Sequence, residues 1–207
     1  WGAVNTHFAN PHGLHQNDHY ATARDLGIIA THAMALPGFR QIVNMRSVTM
    51  MRPVDAPAVR EGEGDLGAPP AGPVQIRERR VFTNRNRLLL SWDACDGVKS
   101  GYTRQAGRCL AASATLNGWR AIVVVLNAAQ ATEDCRHLLQ WAHQNYEPRV
   151  VLKAGEGNWQ LPVVDGASAK VPVVAGRSLQ MLVPKDAACP QPQVRVLGQT
   201  VTAPVQR

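Results

Sequence analysis

Apolar residues recur at helical spacing after Thr22, where Leu26, Ile29, Ala30, Ala33 and Met34 fall on one face. Thr22 stands in front of them as an N-cap, and Asp25, three residues on, completes the pattern of a capping box. Pro37-Gly38 stops this helix, and a short further turn of helix is expected over 39–43. Before it, 7–18 is a loop rich in Asn, His, Gly and Pro. Residues 52–73 change character: Gly, Pro, Glu and Ala dominate, little there can pack, and the stretch reads as an exposed insertion. Order returns near Val81, followed by the short apolar run Leu88-Leu89-Leu90. Residues 108–115 alternate as a strand, Leu116-Asn117-Gly118 supplies a hairpin turn, and 119–127 returns as a Val/Ile-rich strand buried on both faces. Thr132 then caps a helix over 132–146, with Cys135, Leu138, Leu139 and Ala142 as its apolar face. Strands, a hairpin and packing helices make an α+β arrangement.

Pro148 marks a change. Beyond it come short β-type runs at 149–152, 159–161, 169–171, 179–183 and 193–197, separated by Gly, Pro and Asp turns. They suggest a small β-sandwich that is short for a complete one. The expected division is therefore 1–147, with 52–73 as an insertion, followed by 148–207.

Charge changes the picture little. The chain of 207 residues carries a net +7, but its basic residues are scattered apart from Arg77, Arg79, Arg80, Arg85 and Arg87. No aromatic residues interleave with a basic stripe, so nucleic acid is not an expected partner. No segment reaches the roughly 18 apolar residues of a membrane span. Cys95, Cys109, Cys135 and Cys189 are widely spaced and include no C-x-x-C pair; sequence does not assign a disulfide among them.

The sharpest chemical feature is Asp96-Gly-Val-Lys-Ser-Gly-Tyr-Thr103. A Lys-Ser-Gly triplet on a strand edge sets three useful groups together. The Lys99 ammonium is a positive charge, and the Ser100 hydroxyl can bond a carboxylate or relay a proton. Gly101 has no side chain to keep a substrate backbone away. The triplet by itself is common. Its surroundings are not: Asn5-Thr-His-Phe-Ala-Asn-Pro-His-Gly-Leu14, His19-Tyr-Ala-Thr-Ala-Arg-Asp-Leu26, Thr83-Asn-Arg-Asn-Arg-Leu-Leu89 and the run from Asp96 to Ala114. Together, and in this order, these four segments resemble the low-molecular-mass penicillin-binding proteins, the serine-type D-alanyl-D-alanine carboxypeptidases of the carboxypeptidase A type. The tail from Arg149 is similar to the β-rich domain that follows the catalytic domain in that family, best at Lys170-Val-Pro-Val173.

The resemblance implies a partial transpeptidase-like domain followed by an incomplete β-rich domain. It implies an acyl-enzyme mechanism in which a serine attacks the bond between two D-alanines of a peptidoglycan stem peptide. β-Lactam antibiotics would be the second class of ligand, and no cofactor or metal is called for. Lys99, Ser100 and Gly101 match the K-T-G motif, with Ser for Thr, and the backbone N–H of Tyr102 would be an oxyanion donor. The family's Ser-x-x-Lys and Ser-x-Asn motifs are matched by none of Ser47, Ser91, Ser100, Ser113, Ser168 and Ser178. In the family both lie upstream of the Asn-Thr-His-Phe segment, so truncation is the expected explanation, and the chain by itself is expected to be inactive. The family's carboxylate-binding basic residue has no clear match; Arg136 is near, but at shorter spacing. Export to the periplasm or the outer membrane face is implied. Members often carry a C-terminal amphipathic anchor, which would give the full-length protein membrane association; none is visible before Arg207. A non-catalytic relative that binds cell-wall peptide or a partner enzyme is the alternative, and a β-lactamase or endopeptidase is disfavoured by the β-rich tail.

Other candidates carry less. His15 and His19 have i,i+4 spacing, but with His7 and His12 they lie in a Pro/Gly-rich loop without H-E-x-x-H, and read as turn-fixing residues. Asp25, Asp93 and Asp96 read as a helix N-terminal residue and turn residues rather than paired acid and base. Trp92, Trp119, Trp141 and Trp159 read as core or rim.

Overall fold

A computed structural model describes residues 1–55 and 75–195, together with the backbone of Val201 and Thr202. Its elements, in chain order, are α1 (Ala23–Ala35), α2 (Pro37–Val43), β1 (Ser47–Asp55), β2 (Gln75–Thr83), α3 (Arg87–Ser91), β3 (Cys95–Thr103), β4 (Gly107–Leu116), β5 (Trp119–Val125) and α4 (Ala131–Asn145). The tail adds β6 (Tyr146–Leu152), β7 (Trp159–Val164), β8 (Lys170–Val173), β9 (Leu179–Pro184) and β10 (Val201–Thr202). The class is α+β, as the sequence predicts. The chain divides into two compact units, Trp1–Leu139 and Gln140–Arg207.

In the first unit, β3, β4 and β5 form an antiparallel sheet in that order, so β3 is an edge strand. The β4–β5 hairpin turns at Asn117 (φ 52°) and Gly118 (φ 79°), the two left-handed positions that an Asn-Gly turn requires. Helices cover both faces. Ile122 of β5 lies beside Gly27, Ile28 and Thr31 of α1. Val125, three residues on and hence on the other face, lies beside Asp134, His137 and Leu138 of α4. The core holds Leu88, Leu89, Val98, Leu110, Ala112, Ala114, Ala121, Cys135 and Leu139, all nearly or fully inaccessible.

Several local expectations change. Thr22 does cap α1, accepting from the Asp25 N–H at 3.1 Å, but the Asp25 carboxylate does not reach back to complete the box. Its Oδ2 accepts instead from the Asn5 N–H (2.7 Å) and the Thr6 hydroxyl (2.9 Å), which ties the N-terminal segment to the helix. The fourth helix starts at Ala131, so Thr132 lies inside its first turn rather than at its cap. Its buried stripe is Ala131, Cys135, Leu139 and His143, an i,i+4 series, while Leu138 is 45% exposed. The expected insertion begins inside β1, which pairs in register with β2 from Ser47↔Thr83 to Asp55↔Gln75; residues 56–73 lie outside the described residues.

In the second unit, β6 pairs with β9, and β7 lies between β8 and β10. Arg149 fastens its own strand: it donates to Glu147 Oε1 (2.7 Å) and to the carbonyls of Ala187 (2.6 Å) and Lys185 (2.7 Å). Residues 193–195 are not a strand, contrary to the run expected over 193–197; the rest of that run lies outside the described residues. Among the described residues no helix is long and apolar enough to cross a membrane.

The α4 stripe yields a direct check. Leu139→Ala should cost about 2–5 kcal/mol as a buried large-to-small change, and Leu138→Ala less than about 1 kcal/mol. Urea unfolding followed by tryptophan fluorescence measures both; equal losses would refute the assigned face.

Candidate functional site

The four residues singled out by sequence are consecutive on β3, the sheet's edge strand. Local sequence explains why the strand presents them. Val98 is buried (7% exposed), so the next residue, Lys99, faces outward. Lys99 stands opposite Ala111 and Gly101 opposite Cys109, while Ser100 and Tyr102 stand opposite Leu110 and Arg108. The Lys99 ammonium donates to the Ser100 carbonyl. The Tyr102 ring is 71% exposed. A Cβ built on Gly101 would meet no atom of the chain within 4 Å. Nothing in the chain's own packing therefore demands glycine at 101.

Asp96 shapes the strand just upstream. Its carboxylate accepts from Ser113 Oγ (2.5 Å) and Thr115 Oγ1 (2.7 Å) of β4, and from Nε (2.9 Å) and Nη2 (2.7 Å) of Arg120 on β5. Partial burial works to raise its pKa, but the hydrogen bonds from Arg120, then Ser113 and Thr115, outweigh it and hold the carboxyl below the usual aspartate value. Asn86 supports the same stretch: 2% exposed, it caps α3 through the N–H groups of Leu88 and Leu89 and donates to the Gly97 carbonyl at 3.0 Å. The sequence by itself points to a turn at Asp96 and, for Asn86, to nothing beyond its place in a family-like segment. The signal that could have found the first is the Ser113-x-Thr115 alternation just before an Asn-Gly turn that brings Arg120 opposite Thr115.

The other candidates are dispersed. Asp93 is exposed and pairs with Arg46 at 2.7 Å; Asp25 is fully buried beneath the N-terminal segment. Arg136 donates to the Ser91 carbonyl (2.9 Å) and lies over the Trp92 ring, 5.6 Å from its centroid, so its guanidinium is engaged with the α3 end. Two of the loop histidines tie the ends of the loop together rather than fixing a local turn. His7 Nδ1 donates to the Asp18 carbonyl (2.6 Å), and His19 Nδ1 accepts from the Ala9 N–H (3.1 Å). Among the described residues no group of His, Cys, Asp and Glu is disposed to hold a metal ion. All four cysteines are free thiols. Burial, helped by Asp134 and Cys95, pushes Cys135 up to about 12, and burial raises Cys95 as well, so neither is a ready nucleophile at neutral pH.

The fold and sequence are similar to those of known proteins. The structure superposes on penicillin binding protein 5 from Haemophilus influenzae with a TM-score of 0.64 and 30% identity, over 89% of this chain and 48% of that one. The α+β fold is thus that of part of a penicillin-binding protein. The curated relatives include the D-alanyl-D-alanine carboxypeptidases DacA of H. influenzae (33% identical over 75% of this chain and 34% of the relative) and DacF of Bacillus subtilis (26% identical over the whole chain and 48% of the relative). Residues 1–130 match the sequence model of the D-alanyl-D-alanine carboxypeptidase family, and the chain belongs to that family. It spans between a third and a half of the length of these relatives.

The Asp96 cluster predicts a pH signature. Its folded pKa lies below the free value of 3.8, so its contribution to stability is fully present above 3.8 and is lost as pH falls through the folded value. Urea midpoints of the parent should therefore decline as pH falls below 3.8 and through the lower folded value, and more steeply than those of Asp96→Asn, which should already be the less stable protein at neutral pH. Parallel slopes for the two proteins would contradict the assignment.

Proposed function

We propose that β3 forms one wall of a site for peptidoglycan stem peptides ending in D-Ala-D-Ala, in a serine-type D-alanyl-D-alanine carboxypeptidase that works through an acyl-enzyme. The observation that carries this reading is the edge position of Lys99-Ser100-Gly101, with space for a ligand over Gly101, in a chain of this family. An extended peptide can add to an exposed sheet edge through its main chain, with side groups and terminus read by what the edge presents. Lys99 would supply positive charge to the substrate carboxylate and to proton transfer. Ser100, half-buried on the strand's other face opposite Leu110, would donate to the same carboxylate across the free edge, and the Tyr102 N–H would stabilise the oxyanion that forms when the amide carbonyl is attacked. Gly101 would allow the D-Ala-D-Ala backbone to lie flat against the strand. β-Lactams, as mimics of that dipeptide, would occupy the same edge.

On this reading 1–147 is the C-terminal part of the catalytic domain and 148–207 belongs to a β-rich domain after it, in an exported protein acting at the outer face of the membrane. Attack on the amide needs a serine beside a general base. None of the six serines is followed at the third position by Lys or at the second by Asn. The chain by itself should therefore bind without acylating.

Incubation with a fluorescent penicillin should leave no covalent band at the mass of this chain. A labelled band that survives denaturation would show a nucleophile within 1–207 and overturn the inactive-wall reading. In the same preparation, an N-acetylated Lys-D-Ala-D-Ala peptide should shift the backbone amide resonances of 99–102 and leave those of 159–173 in place. Absence of any selective shift at saturating peptide would count against the site itself.

A further inference from the structure

β3 carries a register shift at Asp96. Upstream, Cys95 is opposite Ala114; downstream, Gly97 is opposite Ser113. One extra residue, Asp96, is taken up on β3 against β4, and so forms a bulge. Because side chains alternate along a strand, one extra residue decides which of them face the core. With the bulge in place, Val98 lies inward opposite the fully buried Ala112, and Lys99 and Gly101 stand outward opposite Ala111 and Cys109. If the upstream register simply continued, Lys99 would stand opposite Leu110, which is 4% exposed and faces the core.

Burial of Val98 favours the observed register, but a single valine constrains one strand only. The Asp96 carboxylate accepts from Ser113 and Thr115 on β4 and from both Nε and Nη2 of Arg120 on β5, the two guanidinium nitrogens meeting the one oxygen Oδ2, so it fixes the bulge against two further strands. Two donors of one guanidinium on a single oxygen constrain its direction more than one hydrogen bond does, and both are charge-assisted. We propose that Asp96 is a positioning residue: held by Ser113, Thr115 and Arg120, it locks the bulge that turns Lys99 and Gly101 to the ligand side of the β3 edge. The role of that side rests on the peptide-site reading above; the lock itself does not.

The test uses the full chain with Asp96→Asn, Asp96→Glu, Arg120→Lys and, as a core control of comparable instability, Leu139→Ala. Residue-resolved amide exchange and cross-strand NOE contacts are read in each. In Asp96→Asn the β3 amides bonded to β4 should exchange ~10-fold or more faster relative to those of β5, since local opening follows the lost hydrogen bonds. Contacts between Lys99 and Ala111 should weaken, while Asp96→Glu should regain part of them. Leu139→Ala should speed exchange across the sheet without favouring β3. Arg120→Lys keeps the charge but not the fork, and gives the same readout if Asp96→Asn does not fold. Even exchange across the sheet, with Lys99–Ala111 contacts intact in both Asp96→Asn and Arg120→Lys, would overturn the lock. Titration with the acetylated Lys-D-Ala-D-Ala peptide separates the two proposals. A parent chain that ignores the peptide while Asp96→Asn loses its register sinks the peptide site and leaves the lock standing. A parent and an Asp96→Asn chain that respond identically with unchanged register sink the lock alone.

Discussion

A carboxylate bonded by three side chains on two neighbouring strands sets the geometry on which the candidate site depends. Asp96 is mostly withdrawn from water, with 18% of its side chain exposed, and Arg120 retains 28%. Removing charge from water is costly, and the cost is offset only where the partner geometry is good and the remaining lone pairs are satisfied. Here the partner distances are short and both carboxylate oxygens are bonded. The fork from Arg120 approaches Oδ2 at 2.9 and 2.7 Å, Thr115 adds a third bond to that oxygen, and Ser113 takes Oδ1. The strand that carries Lys99 is thereby fixed in angle and register before any ligand arrives, as a binding edge needs if ordering costs are not to be met at binding.

Small residues let the layers close around that sheet. Ala112, Ala114 and Ala121 are buried at the centre of β4 and β5, where larger side chains would hold the covering helices away. Leu88, Leu89 and Leu139 add fully buried side chains without polar atoms. The two buried thiols belong to the same packing. Cys95 donates to the Gly97 carbonyl (3.2 Å) and Cys135 to the Leu110 carbonyl (3.7 Å), so each behaves as a small apolar residue with one weak hydrogen bond. Their raised pKa values follow from that burial and keep them as thiols.

Features that depend on local chemistry were legible in the sequence. The Asn117-Gly118 turn follows from two left-handed positions, and the Thr22 cap from one short side chain ahead of an apolar-periodic run. Features that depend on distant partners were not. Asp25 satisfies the capping-box pattern, yet its carboxylate goes to Asn5 and Thr6, because the N-terminal segment returns over the helix start and offers two donors there. Thr132 looks like a cap, yet α4 starts two residues earlier than that cap implies, at Ala131. The sequence places Leu138 in the core because i,i+3 and i,i+4 stripes overlap; the structure selects the i,i+4 series through Cys135, Leu139 and His143. Lys99, Ser100, Gly101 and Tyr102 were found through family resemblance. Their common edge strand is a property of the sheet order, which no local pattern displays.

Gly101 and Gly97, four residues apart on one strand, separate packing from ligand access. A Cβ at Gly97 would meet Val43 Cγ2 at 3.1 Å, Ser113 Oγ at 3.3 Å and Met34 Cε at 3.5 Å, so glycine there lets α1 and α2 lie against the sheet beside the Asp96 cluster. At Gly101 the same atom would meet nothing. The first glycine is explained by the chain's own packing and the second is not. A glycine in an edge strand with space above it is what a site for a closely approaching backbone requires. The contrast leaves the β3 edge at Gly101 open to an approaching backbone, as the proposed peptide site requires.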